Sequence, residues 1–136
     1  MIEVFDTRRR PAMDSRRQQQ PLHYRLDVWK DSMRLARDIY RVSASFPDSE
    51  RFGLTAQIRR CAVSVPSNIA EGAGRGTPKE YARHLRIARG SLMELDTQLW
   101  IARDLGFIDN TSEVNQLIQR IAAMLNALIS SKKKEH

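Results

Sequence analysis

Residues 52–78, FGLTAQIRRCAVSVPSNIAEGAGRGTP, constrain the fold more than any other stretch of the chain. Gly53 stands before Leu54, and apolar residues then recur in helical phase at Leu54, Ile58, Cys61, Ala62, Val65 and Ile69. A polar series, Gln57, Arg60, Ser64, Asn68 and Glu71, lies about 120° round the same helix. Three alternating glycines, Gly72, Gly74 and Gly76, lead into Thr77-Pro78. That spacing predicts a helix, a tight reversal needing positive φ, and a second helix running back antiparallel to the first. Pro66 removes one backbone donor and is expected to bend the first of these helices near Ala62 to Val65.

The flanking sequence extends the pattern. Helix one is predicted over Val28 to Ser45, with Asp27 as its cap and Leu26 as a staple residue. It carries two apolar stripes, Trp29, Met33, Ala36, Tyr40 and Val28, Leu35, Ile39, Val42, which together make a broad face. Lys30, Arg34, Arg37 and Arg41 form a basic stripe, with Asp31 and Asp38 placed to pair at i, i+3 with Arg34 and Arg41. Such pairing favours a solvated face over an anion track. Phe46-Pro47 ends the helix. Helix two is expected to run from Leu54 or Thr55 to Glu71. Thr77-Pro78-Lys79-Glu80 is a helix start: hydroxyl cap, proline at the first position, glutamate at the third. Helix three then runs to Leu105 on a core stripe of Tyr81, Leu85, Ala88, Leu92, Leu95, Leu99 and Ala102, with Met93, Trp100 and Phe107 to one side and Gly106 as its stop. Asp109-Asn110-Thr111 caps helix four, which carries Val114, Leu117, Ile118, Ile121, Met124, Leu125, Leu128 and Ile129 and dissolves into Ser130-Ser131 and three lysines. No segment shows strand alternation. Four helices with short connectors predict an all-α, antiparallel up-down-up-down four-helix bundle over residues 26–131.

Charge bounds the partners. The chain of 136 residues has a formal net charge of +7 and a pI near 10.2. Residues 1–25, with Arg8-Arg9-Arg10 and Arg16-Arg17, lack an apolar period and read as a disordered basic leader, either solvated or an arm for nucleic acid. Residues 132–136 form a basic tail. Leader and tail carry most of the excess, so the bundle itself is only mildly basic. One cysteine, Cys61, excludes an internal disulfide and makes a reducing, cytoplasmic setting the simple expectation. No apolar run reaches the roughly 20 residues of a membrane span.

Chemistry is sparse. The glycine loop, flanked by Arg75 and Lys79, invites a phosphate reading, but no strand precedes it and Pro78 removes an amide, so a simple reversal is preferred. Antiparallel pairing of helices two and three would bring Gln57, Arg60, Asn68 and Glu71 near Ser91, Glu94 and Gln98. A polar network setting register is expected there, with Arg60–Glu94 as its charged pair. Lys79, Arg83 and Arg86 lie opposite the core stripe of helix three with Gly90 among them. An exposed mid-helix glycine costs about 1 kcal/mol relative to alanine, so close approach of another helix is expected. Val28, Gly90, Met93 and Trp100 are the expected self-association surface. His84 is expected to pair with Glu80 one turn before it, and Cys61 to be a buried small residue. No catalytic residue, metal set or cofactor motif is predicted.

The segments FGLTAQIRRCAVSVPSNIAEGAGRG and EYARHLRIARGSLMELDTQL, with LDVWKDSM and SFPDSERFGL, resemble the four-helix-bundle proteins encoded in intervening sequences of bacterial 23S ribosomal RNA genes. The resemblance covers roughly residues 24–130. It implies a bundle that assembles into a ring, as a homopentamer. It also implies kinship with the accessory proteins of diversity-generating retroelements, basic pentamers that bind nucleic acid and a reverse transcriptase. Gln57, Arg59, Arg60, Asn68, Glu71, Gly72, Gly90, Ser91 and Glu94 match the family pattern and are expected to serve fold and assembly. Cys61 departs from it, since the family usually has a smaller residue there. The function expected is that of a non-enzymatic self-assembling bundle that contacts RNA or DNA through Arg59, Arg75, Lys79, Arg83 and Arg86. The rival expectation is a scaffold that docks a protein partner and never touches nucleic acid.

Overall fold

Consecutive helices lie side by side, and the last closes against the first. The computed structural model describes residues 20–135. It contains α1 (Asp27–Ser43), α2 (Leu54–Ala73), α3 (Pro78–Asp104) and α4 (Ser112–Lys133). Short 3-10 turns occupy Leu22–Arg25 and Asp48–Glu50. Among the described residues α1 packs on α2, α2 on α3, α3 on α4 and α4 on α1, with no Cα atoms within 8 Å across either diagonal and no strand. This is an all-α, antiparallel up-down-up-down four-helix bundle. No helix among the described residues is long and apolar enough to cross a membrane.

The α3 stripe read from the sequence, Tyr81 through Ala102, is buried at all seven positions. Leu35 and Ile39 of α1, Ile58, Val65 and Ile69 of α2, and Ile121 and Leu125 of α4 complete the centre. Each large aliphatic side chain so enclosed contributes roughly 1.5–3 kcal/mol by leaving water. Val28 is also in this core, 5% exposed, which removes it from the expected self-association surface. It is one turn from Ser32 and two from Leu35, so it faces inward with them.

The helix ends show local chemistry at work. Thr77 Oγ1 accepts the Glu80 amide at 3.2 Å, with Pro78 in the first turn. At the other end Gly106 takes φ +77. Its amide donates to the Arg103 carbonyl at 3.0 Å and the Phe107 amide to the Ala102 carbonyl at 2.9 Å. These are the paired bonds of a Schellman stop, and they aim Phe107 at Phe46, ring centroids 5.7 Å apart.

Several boundaries differ from expectation. Leu26, in extended backbone, caps α1 without a side-chain bond, and Asp27 is the first helical residue, where its charge suits the helix dipole. The start of α4 agrees with the expected Asp109-Asn110-Thr111 cap: Thr111 is the cap residue, and within that run Asn110 Oδ1 accepts the Ser112 amide at 2.9 Å. α2 continues through the buried Pro66 to Ala73, two residues past Glu71. α4 continues to Lys133. Residues 1–19, most of the expected leader, and His136 of the expected tail lie outside the described residues; Leu22–Arg25 forms a turn in which Tyr24 stacks on Trp29 at 5.2 Å and His23 meets the same ring edge-on at 5.0 Å.

The three alternating glycines have three separate roles. Only Gly76 needs left-handed backbone, at φ +86. Gly74 has an ordinary φ of −87. Gly72 is buried against α3, where a Cβ would stand 2.8 Å from His84 Cβ and 3.2 Å from the Tyr81 carbonyl oxygen. Here α2 and α3 approach too closely for any side chain.

Candidate functional site: the polar seam and the basic faces

That close approach brings two polar ridges together. Ser64 and Ser91 hydroxyls meet across the seam at 2.8 Å. Asn68 Nδ2 donates to the Ser64 carbonyl at 2.9 Å and to its hydroxyl at 3.0 Å. Asn68 Oδ1 is therefore the acceptor in its 3.2 Å contact with His84 Nδ1, so that nitrogen carries the hydrogen. His84 is 5% exposed, and its Nε2 has no hydrogen-bond partner among the described residues. The expected Glu80–His84 pair does not form. Glu80 turns to Arg83 at 3.7 Å instead, while His84 points into the seam with Glu71 Oε2 at 3.9 Å.

The expected Arg60–Glu94 pair is also absent. Both residues line one cleft of about 420 Å³ with Gln57, Cys61 and Gln98, yet no ion pair within 4.0 Å joins them among the described residues. Both are exposed, and water screens an attraction that a dry interior would enforce. The charged pair of this ridge is Arg75–Glu71, at 2.6 Å. It holds the Glu71 carboxyl below its ordinary pKa, chiefly through the Arg75 hydrogen bond. Cys61, 8% exposed, has its thiol pushed up to about 11, first by burial and then by the Glu94 side chain. A thiol so protonated is a poor nucleophile. Among the described residues no group of three or more His, Cys, Asp or Glu could hold a metal ion.

Of the five basic residues singled out in the sequence, Arg59 stands apart from the other four. Arg59 braces α2 to α1: its Nε donates to Ser43 Oγ at 2.7 Å, its guanidinium to the Tyr40 carbonyl at 3.3 Å, and it lies 4.7 Å over the Tyr40 ring. Arg75 lies about 20 Å further along the bundle axis at 1.5 Å per residue, tied to Glu71. Arg83 is paired with Glu80. Lys79 and Arg86 are exposed on the outer side of α3.

The same helix carries an uncovered apolar face. Ile87, Met93, Trp100 and Ile101 are 41–51% exposed. A Cβ at Gly90 would meet nothing within 4 Å. Arg103 lies 5.4 Å over the Trp100 ring. Of the expected self-association residues, Gly90, Met93 and Trp100 share this face and Val28 does not.

Of two further surfaces, the sequence reading missed the first and took the basic stripe of the second for a solvated face. One is an apolar groove of about 360 Å³ between the first turn, α1 and α2, lined by Tyr24, Trp29, Met33, Val63 and Pro66. Its signal was the Trp29 stripe, but its wall lies in residues read as leader. The other runs along the meeting line of α1 and α4. Asp31, expected to pair with Arg34, reaches across to Arg120 at 3.1 Å. Asp38 pairs with Arg41 at 3.2 Å as expected. Arg34 and Arg37 therefore face a cleft of about 700 Å³ with no ion-pair partner among the described residues.

No curated protein matches the chain. The family model described as 23S rRNA-intervening sequence protein matches residues 24–127, from the first turn through most of α4. With most of its length inside that match, three helices whole and the fourth for most of its run, the chain belongs to the family of 23S rRNA-intervening sequence proteins.

Proposed function

We propose that this protein is a non-enzymatic, cytoplasmic bundle that associates with copies of itself, as a pentamer, and binds RNA or DNA through basic surface. The observation that carries the reading is the outer face of α3, where Ile87, Met93, Trp100 and Ile101 are exposed around a glycine with open space beside it. Met93 and Trp100, seven residues apart, lie on one line of the helix, and exposed apolar groups of this size mark an interaction surface; Gly90, one turn before Met93, admits a helix at short range. The net charge of +7 supports a polyanionic partner, and the family is named for sequences that interrupt 23S rRNA.

Light scattering at micromolar concentration tests association: a mass of one chain refutes it. Met93→Lys with Trp100→Lys should shift the mass toward the single chain while helicity is kept. Binding to labelled RNA should weaken steeply as salt rises, because each neutralised phosphate releases condensed counterions. Undetectable binding at low salt refutes the nucleic-acid half alone.

A second reading, a scaffold that docks another protein, is favoured by the groove at Tyr24, Trp29, Met33 and Val63, which presents aromatic and aliphatic groups on a concave surface. It predicts that Val63→Asp abolishes partner capture without changing the oligomer mass or RNA affinity.

A further inference from the structure

We propose that the line between α1 and α4 is where the phosphodiester backbone of a nucleic-acid strand lies, with Arg34 and Arg37 as its principal contacts. This rests on the nucleic-acid half of the function above and replaces the residues expected from sequence.

A phosphate needs cations that the protein has not already neutralised. Arg75 and Arg83 are paired with Glu71 and Glu80, and Arg59, whose charge is not neutralised, has its donors turned inward to Ser43 and Tyr40. Lys30, Arg34 and Arg37 have no ion-pair partner among the described residues, because Asp31 has crossed to Arg120 and Asp38 serves Arg41. Lys79 and Arg86 are equally unpaired, but line none of the larger clefts.

Shape separates the two groups. Arg34, Arg37 and Arg41 line the 700 Å³ cleft, whose far wall is Asn110, Ser112 and Glu113 at the start of α4. Arg34 and Glu113 also line the adjoining cleft of about 360 Å³ with Gln116 and Arg120. The two form a trough along the bundle, with Arg34 shared between them. A concave surface of one dominant sign focuses its field on a chain of opposite charge, and guanidinium forks match phosphate oxygens in pairs. From Arg34 to Arg41 the helix rises about 10 Å, which lets one helix address successive phosphates. Asn110 and Gln116 add neutral hydrogen-bonding groups. Glu113 is the one carboxylate in the trough with no ion-pair partner among the described residues, and it opposes binding.

The test uses the full chain and a fluorescein-labelled oligouridylate of about 20 nucleotides, read by anisotropy across a salt series. Each phosphate contact on a single strand contributes about 0.7 to the slope of log affinity against log salt. Replacing both arginines, Arg34→Gln with Arg37→Gln, should lower that slope by about 1.4 and weaken binding about 25-fold at 0.1 M salt. Glu113→Gln should tighten binding at low salt, a gain that misfolding does not produce. Lys79→Gln with Arg86→Gln should leave affinity within about twofold. If the Arg34/Arg37 variant binds as the parent does, or the Lys79/Arg86 variant carries the loss, the trough is not the site although the protein still binds RNA. If the parent chain fails to bind at low salt, the nucleic-acid reading falls and this inference with it.

Discussion

Two glycine-to-alanine substitutions should move stability in opposite directions, for reasons that lie in the packing. At Gly72 the added methyl would stand 2.8 Å from His84 Cβ and 3.2 Å from the Tyr81 carbonyl oxygen. Neither atom can swing aside, since one is backbone and the other is fixed to it. α2 and α3 must separate, and overpacking of this kind costs about 1–3 kcal/mol. Alanine recovers at most about 1 kcal/mol through helix propensity, and less here because Gly72 is in the last turn of α2. The expected net loss is about 1–2 kcal/mol, which for a domain of this size lowers Tm by about 4–8 °C. At Gly90 the methyl meets nothing within 4 Å, so only the propensity gain remains and Tm should rise by about 4 °C in the dissociated subunit. Thermal and urea melts followed by circular dichroism, on protein diluted until light scattering reports single chains, would measure both. Gly72→Ala as stable as the parent would refute the close approach of α2 and α3 and the account of the polar seam built on it.

Other outcomes follow from single contacts. Cys61 should resist thiol reagents in the folded protein at neutral pH. Its folded pKa of about 11 lies above the ordinary 9.0, so the unfolded chain loses that proton first and stability should fall between those pH values by about 2 kcal/mol; Cys61→Ala should flatten the fall in pH-dependent urea melts. Ser64→Ala and Ser91→Ala should each cost about 1 kcal/mol, and the double variant less than their sum, with a coupling of about 0.5–1.5 kcal/mol in a double-mutant cycle. Strict additivity would mean the 2.8 Å hydroxyl contact is not formed in solution. Arg59→Ala should destabilise by about 1–2 kcal/mol through loss of its bonds to Ser43 and Tyr40, yet leave oligouridylate affinity unchanged; a large drop in affinity would return Arg59 to the binding surface.

What spacing could reveal was the inward face of each helix. Tyr81 to Ala102 stand on one side at 3.6 residues per turn whatever they pack against, so the core of α3 was legible. Thr77-Pro78 and Gly106 were legible because their chemistry is local. Partner choice was not. Asp31 has Arg34 one turn away on its own helix and Arg120 on another; which one it meets depends on the rotation of α1 about its axis and on the α1–α4 distance, and neither is written in periodicity. The same indeterminacy sent His84 to Asn68 instead of Glu80 and left Arg60 and Glu94 apart. Val28 sits where two apolar stripes diverge, and only the packed bundle shows which of them α2 and α4 enclose.

The Asp31–Arg120 bridge joins the first helix to the last, across the one helix–helix contact in the ring that no connector ties together. Opening there releases an end of the chain rather than its middle, so α1 should shed its amide protection to deuterium before α2 and α3 do. Any strand held across that line fastens the first and last helices at once. Its arrival would be recorded as slowed exchange along α1, and as a melting temperature that climbs with the amount of strand added.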